Sequence, residues 1–479
     1  MLFNSYQFLL FFPIVTIIYF LLPHKYRWFH LLAASCIFYT AFIPIYIFIL
    51  IFTIIIDYFA GILIENAKGK NRKLFLIMSI IANVGVLAVF KYYNFFIDNM
   101  NEMAASFHLK LDIPLLNIIL PIGLSFHTFQ AMSYTIEVYR QKQKAEKHFG
   151  IYSLYVMFYP QLVAGPIERP QNLLHQFREP HRFESDKLLS GLRLMLWGFF
   201  KKVVIADRLA VYVDTVYNDH PQYNAINLII ATLFYTIQIY CDFSGYSDIA
   251  IGAAKTMGFD LMINFKRPYF SKNIKEFWTK WHISLSTWFR DYLYISLGGN
   301  RVSLSRLYFN VMIVFLISGF WHGANWTFIA WGGLHAVYTM FYMLYDRQSL
   351  FKIPNNLISN FFSAIVTFCL VAFAWIFFRA ASIQDAFIII KNIITFDNNV
   401  PFQMIVRNAV NNTTFGISSM VISILMICIL TIVEKRLDPV LSNMESKKSF
   451  VDIIFCSVIL SLLIMFGVFH NTSFIYFQF

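Results

Sequence analysis

The sequence is dominated by long apolar runs without a charged residue. Residues 307–344, 357–378 and 415–433 contain no Lys, Arg, Asp or Glu. A helix needs about 20 predominantly apolar residues to cross the hydrocarbon core of a bilayer. Only 13% of the 479 residues are charged and 58% are hydrophobic, whereas soluble domains average about 25% charged residues. The sequence therefore predicts an all-α polytopic membrane protein.

The candidate membrane spans share this apolar character. They cover residues 5–22, 28–42, 46–64, 74–90, 115–134, 189–204, 225–241, 307–320, 326–344, 357–378, 415–433 and 453–469. Pro44 is predicted to divide the apolar run 28–56 into two helices, because proline disrupts a helix interior. We expect about eleven or twelve crossings in total, since several middle segments can be re-entrant.

The short loops predict the orientation of the chain. Lysines and arginines concentrate in residues 65–73 and 138–148, whereas residues 91–114 carry three acidic residues and two lysines. Cytoplasmic loops carry an excess of Lys and Arg, so the first two loops are predicted inside, together with Lys25 and Arg27. We therefore expect a multi-pass protein of the cytoplasmic (inner) membrane, in contact with lipid, with its N-terminus outside.

The middle of the chain has a different pattern from its two ends. Residues 152–306 break into short apolar pieces separated by Pro, Gly and charge, as in FYPQLVAGPIERP at 158–170. Irregular backbone at membrane depth is tolerated only inside protein or beside a wet cavity. We predict one integral-membrane domain over 1–479. Its parts are N-terminal helices at 1–150, a catalytic core at 151–345 and C-terminal helices at 346–479.

Charge and motif content exclude several function classes. The net charge of +12 is scattered between membrane spans, which disfavours nucleic-acid binding because that function concentrates basic residues on one face. The five cysteines lack paired spacing, so neither a disulfide framework nor a metal site is expected. The P-loop, GxGxxG, HExxH and CxxC motifs are all missing from the sequence, which removes the simplest support for ATP-driven, dinucleotide-dependent or zinc-protease chemistry.

One histidine lies inside an uncharged apolar run. SGFWHGANW, residues 318–326, places His322 one helical turn after Ser318 and three residues before Asn325. Neutral imidazole accepts a proton near pH 7, and ionisable residues inside membranes are often functional. His322 is therefore a candidate general base. The alternative is a structural histidine that bonds a backbone carbonyl across the helix bundle.

A second candidate group lies in EFWTKWHISLSTWFRDYLYISLGGNR, residues 276–301. Helical spacing places Trp278, His282 and Ser286 on one face, and Asp291 belongs to the charged residues that bracket the segment. The pattern predicts an amphipathic helix at or dipping into the membrane interface. The alternative is an aromatic belt that only anchors the helix.

Other polar residues in apolar sequence carry weaker signals. Asp242 and Asp248 are six residues apart, which is not the spacing of a shared helical face, so an ion pair and a cation site both stay open. His127 lies in PIGLSFHTFQ. His335, thirteen residues beyond His322, would lie about 220° around a continuous helix and is not expected to join the same site.

Several motifs together resemble a known family. WHISLSTWFRDYLYISLGGNR at 281–301, followed by SGFWHGANWTFIAWGGLHA at 318–336, is similar to the membrane-bound O-acyltransferase (MBOAT) superfamily. Within it, the bacterial branch of alginate and peptidoglycan O-acetyltransferases is most similar. The likeness covers nearly the whole chain and includes the opening FNSYQFLLFFPIVTIIYFLLP, FYPQLVAGPIERP, YCDFSGYSDIAIG, FAWIFFRA and the final FIYFQF.

The resemblance implies a fold and a reaction. The expected fold is a bundle of about eleven helices around a central tunnel. A thioester donor, acetyl-CoA, enters from the cytoplasm, and a hydroxyl of a cell-envelope polysaccharide accepts the acetyl group outside. The family's invariant histidine corresponds to His322 and its second site position to His282. No tightly bound cofactor and no metal are implied, but an extracytoplasmic (SGNH-type) acetyltransferase partner is.

In that reaction, His322 would act as general base on the acceptor hydroxyl. His282, with Trp278 and Ser286, would line the donor path or hold the thioester carbonyl. Asn325 would orient His322, and Ser318 and Asp291 are further candidates for the tunnel. A covalent acyl-enzyme on a serine or tyrosine stays open.

Two alternative functions remain at this stage. The first is D-alanyl transfer to teichoic acid from a carrier protein, although FAWIFFRA and FIYFQF favour the acetyltransferase branch. The second is a transporter or flippase for a lipid-linked sugar, whose substrate site would be the broken middle helices. The sequence contains no inverted repeat that supports the second alternative.

Overall fold

The structure is a computed structural model of the chain. It describes residues 1–109, 111–118, 120–347, 354, 356–396, 416–442, 450–469 and 474–475. These residues form helices, turns and irregular segments, and no β-strand occurs among them. Two compact units divide the chain: Met1–Met195 with Tyr246–Met262, and Leu196–Gly245 with Ile263–Phe479. The predicted all-α fold is confirmed.

Nine α-helices lie among the described residues before residue 200. They are α1 (Tyr6–Leu21), α2 (His24–Thr40), α3 (Ile47–Asn66), α4 (Lys70–Leu87), α5 (Tyr93–Ser106), α6 (Leu124–Tyr139), α7 (Phe149–Met157), α8 (Pro170–Leu173) and α9 (Ser185–Phe199). The predicted break at Pro44 is confirmed, because a short 3₁₀ turn, Pro44–Tyr46, separates α2 from α3.

The predicted span 115–134 is wrong in its first half. The described residues between 111 and 123 form no helix, and α6 begins only at Leu124. Pro114 and Pro121 lack the N–H that a helix needs. Gly123 has a φ of 77°, where a Cβ would lie 2.8 Å from the carbonyl oxygen of Leu162, so only glycine fits.

The irregular segment predicted to be buried in protein is buried. Residues 158–168 are all buried and lie outside any α-helix. The Tyr155 hydroxyl donates to the carbonyl oxygen of Glu168 at 2.9 Å, and Gln161 Nε2 donates to the carbonyl oxygen of Tyr155 at 2.9 Å. Side chains thus satisfy backbone groups that a helix would otherwise pair.

Ten further α-helices follow residue 206 in the described part of the chain. They are α10 (Asp207–Asn218), α11 (Ala225–Thr256), α12 (Ile274–Lys280), α13 (Ile283–Trp288), α14 (Leu304–His322), α15 (Trp326–Arg347), α16 (Leu357–Arg379), α17 (Ile383–Thr395), α18 (Gly416–Ser442) and α19 (Phe450–Phe466). The sequence did not indicate α17. Most of the final FIYFQF lies outside the described residues.

Length and apolar composition allow six helical stretches of the described chain to cross a membrane. They are Pro44–Asn66, Lys70–Ser106, Ala225–Thr256, Leu304–His322, Leu357–Arg379 and Gly416–Lys435. Tyr6–Leu21 and Asp452–Phe466 are shorter apolar helices. These stretches agree with a multi-pass membrane protein, and the total number of crossings stays a prediction.

Helices α14 and α15 pack backbone against backbone. A Cβ on Gly319 would lie 2.2 Å from the carbonyl oxygen of Phe328, and one on Gly332 would lie 2.3 Å from that of Phe315. Small residues allow such close approach between membrane helices. The contact fixes the spacing of the two helices immediately beside His322.

Candidate active site

His322 is the last residue of α14. The chain leaves the helix at Gly323, which is extended with a φ of −159° and a ψ of 147°. The His322 side chain is buried, with 4% of the residue exposed. Its ring centroid lies 4.9 Å from that of Trp321, 5.1 Å from Trp331 and 5.3 Å from Phe378, each in an edge-on arrangement. The imidazole therefore lies in a buried aromatic environment at a helix end.

The helical relation predicted between His322 and Asn325 is wrong, because the helix ends before Asn325. Asn325 instead precedes α15, where its Oδ1 accepts from the Thr327 N–H at 3.0 Å and its Nδ2 donates to the carbonyl oxygen of Ala381 at 3.0 Å. It acts as a helix cap. Ser318 is buried on α14, one turn before His322 as predicted.

The single helix predicted around His282 is also wrong. α12 ends at Lys280, and His282 has a φ of 43° and a ψ of 56° before α13 begins. A left-handed conformation is uncommon for residues other than glycine and often marks a functional constraint. Trp278, His282 and Ser286 therefore do not share one helical face, and the Ser286 hydroxyl donates to the carbonyl oxygen of Trp281 at 3.0 Å.

Asn264 fixes the His282 ring. The imidazole Nδ1 lies 3.0 Å from Asn264 Oδ1, which also accepts from the Ser284 hydroxyl at 2.9 Å and from the Ser284 N–H at 3.3 Å. An oxygen that accepts these bonds requires a hydrogen on Nδ1, so Nδ1–H donates and Nε2 carries the lone pair. Burial lowers the pKa of His282 to about 3, so the imidazole is neutral at physiological pH.

One tryptophan lies between the two predicted site histidines. The Trp321 ring centroid is 6.4 Å from that of His282 and 4.9 Å from that of His322. The structure thus brings together two residues that are forty positions apart in sequence. Asp291 is not part of this group, because its carboxylate pairs with the largely exposed Arg290 at 2.8 Å.

His335 lies closer to the site than predicted. The prediction assumed one continuous helix, but His322 ends α14 and His335 belongs to α15. Its ring lies 4.9 Å from Trp331, which contacts His322, and 5.0 Å from Trp278. Trp331 and His335 are one turn apart on α15, and the turn between α14 and α15 brings Trp331 against His322, which a single continuous helix would not do.

Several residues around the site were not indicated by the sequence. Asn264 precedes His282 by eighteen positions in an irregular segment, and no periodic pattern relates the two. Trp375 stacks on Trp331 with ring centroids 5.5 Å apart, and it comes from α16. These contacts depend on tertiary packing between distant parts of the chain.

Asp242 forms an ion pair rather than a cation site. Its Oδ1 lies 2.6 Å from Lys202 Nζ. Within the described residues, no group of three or more His, Cys, Asp or Glu side chains could hold a metal ion. His127 is buried, with 2% exposed, in the other compact unit.

Comparison with known proteins gives a consistent result. The sequence profile of the MBOAT, membrane-bound O-acyltransferase family matches residues 70–384. The chain is 38% identical to the probable alginate O-acetylase AlgI of Pseudomonas aeruginosa over 432 residues, which cover 89% of this chain and 81% of that protein. It is 36% identical to the peptidoglycan O-acetyltransferase of Helicobacter pylori over 76% of this chain and 73% of that protein.

A more distant similarity concerns another acyl group. The teichoic acid D-alanyltransferase of Bacillus subtilis is 27% identical over 275 residues, which cover 55% of this chain and 69% of that protein. The similarity to the O-acetylating proteins is higher and extends over more of the chain.

Proposed function

Because this chain belongs to the membrane-bound O-acyltransferase family, we propose that it transfers an acetyl group from acetyl-CoA for O-acetylation of a cell-envelope polysaccharide. The chain is a membrane acyltransferase by family. Acetyl is the favoured acyl group because the relatives most similar over the greatest length carry O-acetylation in their names. D-alanyl transfer is the weaker candidate, since that relative matches only 55% of the chain.

His322 is the proposed general base. It removes the proton from the acceptor hydroxyl, the oxygen attacks the thioester carbonyl, and the C–S bond breaks to release the thiol. A positioned base contributes about 10²–10⁴-fold to such a reaction. The observation that carries the proposal is the buried His322 at the end of α14, bounded by three aromatic rings at 4.9 to 5.3 Å.

His282 is proposed to accept a hydrogen bond or a proton rather than to hold the thioester carbonyl. Its Nδ1–H is directed to Asn264, so the neutral ring offers only the Nε2 lone pair. The Ser286 hydroxyl already donates its hydrogen to Trp281. Trp278 retains an indole N–H, buried and without a hydrogen-bond partner among the described residues, which suits it to hold a carbonyl oxygen. Indole nitrogen is a donor only.

The direction of transfer follows from the predicted orientation. With the basic loops inside, the donor approaches from the cytoplasm and the N-terminus lies outside the cytoplasmic membrane. The acyl group then crosses the bilayer without export of its carrier. We propose that a separate extracytoplasmic (SGNH-type) acetyltransferase completes the modification of the polymer.

The test is the ester-linked acetate content of purified cell-envelope polysaccharides. The strains compared are wild type, a gene deletion, and deletions complemented with His322→Ala or with His108→Ala at matched protein levels. His108 is an exposed histidine and serves as control. We expect acetate to fall in the deletion, to return with His108→Ala and to stay low with His322→Ala.

Two results would contradict the proposal. Unchanged acetate in the deletion strain rejects O-acetylation, and loss of D-alanine ester from teichoic acid in that strain would assign the alternative reaction. Full restoration of acetate by His322→Ala would reject the role of this histidine while leaving the transfer reaction in place.

A further inference from the structure

We propose that Asp242 and Lys202 are positioning residues for the transfer reaction, because they anchor Phe474 and Ile475 beside Phe243, whose ring packs on His282. The inference rests on the proposed function for its catalytic consequence. The anchoring itself stands on contacts within one compact unit of the structure.

A π-turn brings Lys202 to its first partner. The helix that starts as α9 continues through a π-turn, Phe200–Ala206, where the Asp207 N–H bonds the carbonyl oxygen of Lys202. Side chains five residues apart point in different directions on an ordinary α-helix, but the wider π-turn closes this gap. Lys202 Nζ accordingly lies 2.8 Å from Asp207 Oδ1. Such turns occur frequently at functional sites.

Asp242 supplies the second partner from α11. This helix approaches the π-turn closely at Gly245, where a Cβ would lie 2.7 Å from the carbonyl oxygen of Gly198. Lys202 Nζ lies 2.6 Å from Asp242 Oδ1, and both side chains are nearly inaccessible, with 6% and 3% exposed. A buried charge is tolerated only with close partners. One lysine therefore holds two carboxylates together inside the protein.

The other oxygen of Asp242 binds the backbone of Ile475. Oδ2 accepts a hydrogen bond from the Ile475 N–H at 2.7 Å, across 233 residues of sequence. Two further contacts hold the approach to this point: the Val468 N–H donates to the carbonyl oxygen of Val203 at 3.0 Å, and Arg208 Nη2 donates to that of Phe466. The π-turn and Arg208 beside it thus hold Phe466 and Val468, and Asp242 of α11 holds Ile475.

Phe474, next to the anchored Ile475, contacts Phe243, the aromatic neighbour of His282. Phe474 is 1% exposed, and its ring centroid lies 5.8 Å from that of Phe243. Phe243 in turn packs edge-on to His282 at 4.5 Å. Loss of the anchor would release Phe474, open space beside Phe243 and loosen the imidazole. Small displacements of a reacting group are costly, since about 1 Å can change a rate by about 10²-fold.

Cysteine accessibility measures the docking directly. Ile475→Cys retains the backbone N–H and the neighbouring Phe474, and Ile475 is only 3% exposed. In a background with the native cysteines replaced by Ala, this reporter is labelled with N-ethylmaleimide in membranes. Phe469→Cys, at a position 50% exposed, is the control reporter at a residue that does not contact Asp242.

Substitutions of Asp242 test whether its hydrogen bond to Ile475 can be lost without unfolding the protein. Asp242→Leu removes the acceptor of the Ile475 N–H but leaves Lys202 paired with Asp207. Asp242→Asn keeps an acceptor oxygen of the same shape. Asp219→Leu, at an exposed aspartate, is the matched control. Because a hydrogen bond to a charged group is at stake, we expect Asp242→Leu to raise the labelling rate of the reporter about tenfold or more, with a smaller rise for Asp242→Asn.

Acetyl transfer is measured in the same Asp242 and Asp219 variants without the cysteine reporter. We expect Asp242→Leu to lower kcat more than it changes KM, Asp242→Asn to recover part of the loss, and Asp219→Leu to behave as wild type. A reporter that stays protected in Asp242→Leu would overturn the anchoring. A released reporter with unchanged kcat would overturn the positioning role. If the wild-type protein itself shows no acetyl transfer, the proposed function fails, while the labelling still decides the anchoring.

Discussion

The two histidines of the candidate site are held in different ways. His282 is fixed by a polar group, because Asn264 accepts from its Nδ1–H and selects one tautomer. The contacts described around His322 are ring edges, from Trp321, Trp331 and Phe378. A hydrogen bond fixes where the proton lies, whereas aromatic contacts fix the plane of the ring and exclude water. The Asn264 contact therefore specifies the tautomer of His282, and the three rings specify the plane of the His322 imidazole.

The largest expected effect is at His322. His322→Gln keeps much of the volume and removes the base, so we expect kcat for acetyl transfer in reconstituted vesicles to fall by about 10²–10⁴-fold. His108→Gln is the matched control. A fall in kcat of less than tenfold for His322→Gln would show that the aromatic pocket holds a structural histidine.

The next effect tests the spacing that places His322. Gly319→Ala puts a Cβ 2.2 Å from the carbonyl oxygen of Phe328, so α14 and α15 must separate and His322 must move relative to Trp331. We expect acetyl transfer to fall by about 10²-fold and the melting temperature in detergent to drop. Gly85→Ala, where no atom lies within 4 Å, should stabilise its helix slightly. Equal activity in both variants would contradict the role of the close contact.

Substitutions of Asn264 test the hydrogen bond that fixes the tautomer of His282. Asn264→Leu removes the acceptor at 3.0 Å from Nδ1 and leaves only the Ser284 hydroxyl oxygen at 3.5 Å. A weakened buried hydrogen bond costs about 1–3 kcal/mol, and we expect kcat to fall about tenfold. Asn264→Asp instead offers a carboxylate that stabilises the protonated imidazole. In the wild type, burial lowers the pKa of His282 to about 3. Protonation of this residue therefore does not reduce kcat/KM at any pH above about 5.

In the Asn264→Asp variant, the pKa of His282 is expected to rise. If the pKa of His282 is raised, Nε2 binds a proton at low pH and can no longer accept one from substrate. Activity should therefore fall as the pH drops below neutral. The pH profile of kcat/KM in the two proteins measures this shift. A profile unchanged by Asn264→Asp would show that Asn264 does not set the protonation of His282.

The smallest expected effect concerns a single ring. Trp331→Phe retains a ring against His322 and His335 but loses part of the contact surface. Aromatic pairs contribute about 0.5–1.5 kcal/mol, so we expect a fall in kcat of about two- to tenfold. Trp326→Phe, at a tryptophan 54% exposed, controls for the substitution. Identical kcat values in the two variants would show that the Trp331 indole does not orient His322.

Local sequence signals predicted the parts of the fold that depend on local chemistry. Uncharged runs indicated most of the helices, Pro44 indicated the break before α3, and the prolines and glycine of 158–170 indicated buried irregular backbone. His322 was recognisable because an ionisable residue in an apolar run is rare.

The sequence did not predict the contacts between residues that are distant along the chain. Helical periodicity extended the helix past His322 to Asn325 and through His282, but the chain turns at Gly323 and His282 adopts a left-handed conformation. Neither the Asn264 contact with His282 nor the approach of Trp331 to His322 follows from spacing, because each joins segments that only the tertiary fold brings together.

The backbone at His282 also determines which residues this position tolerates. With a φ of 43°, branched side chains are strained there, whereas asparagine and glycine fit readily. In a saturation library sorted first for folded protein, position 282 should be enriched in Asn and Gly and depleted in Val and Ile. A second sort for acyl transfer should then retain only histidine, because the reaction needs the imidazole lone pair at this position. The two sorts separate conformational tolerance from chemical requirement at one codon.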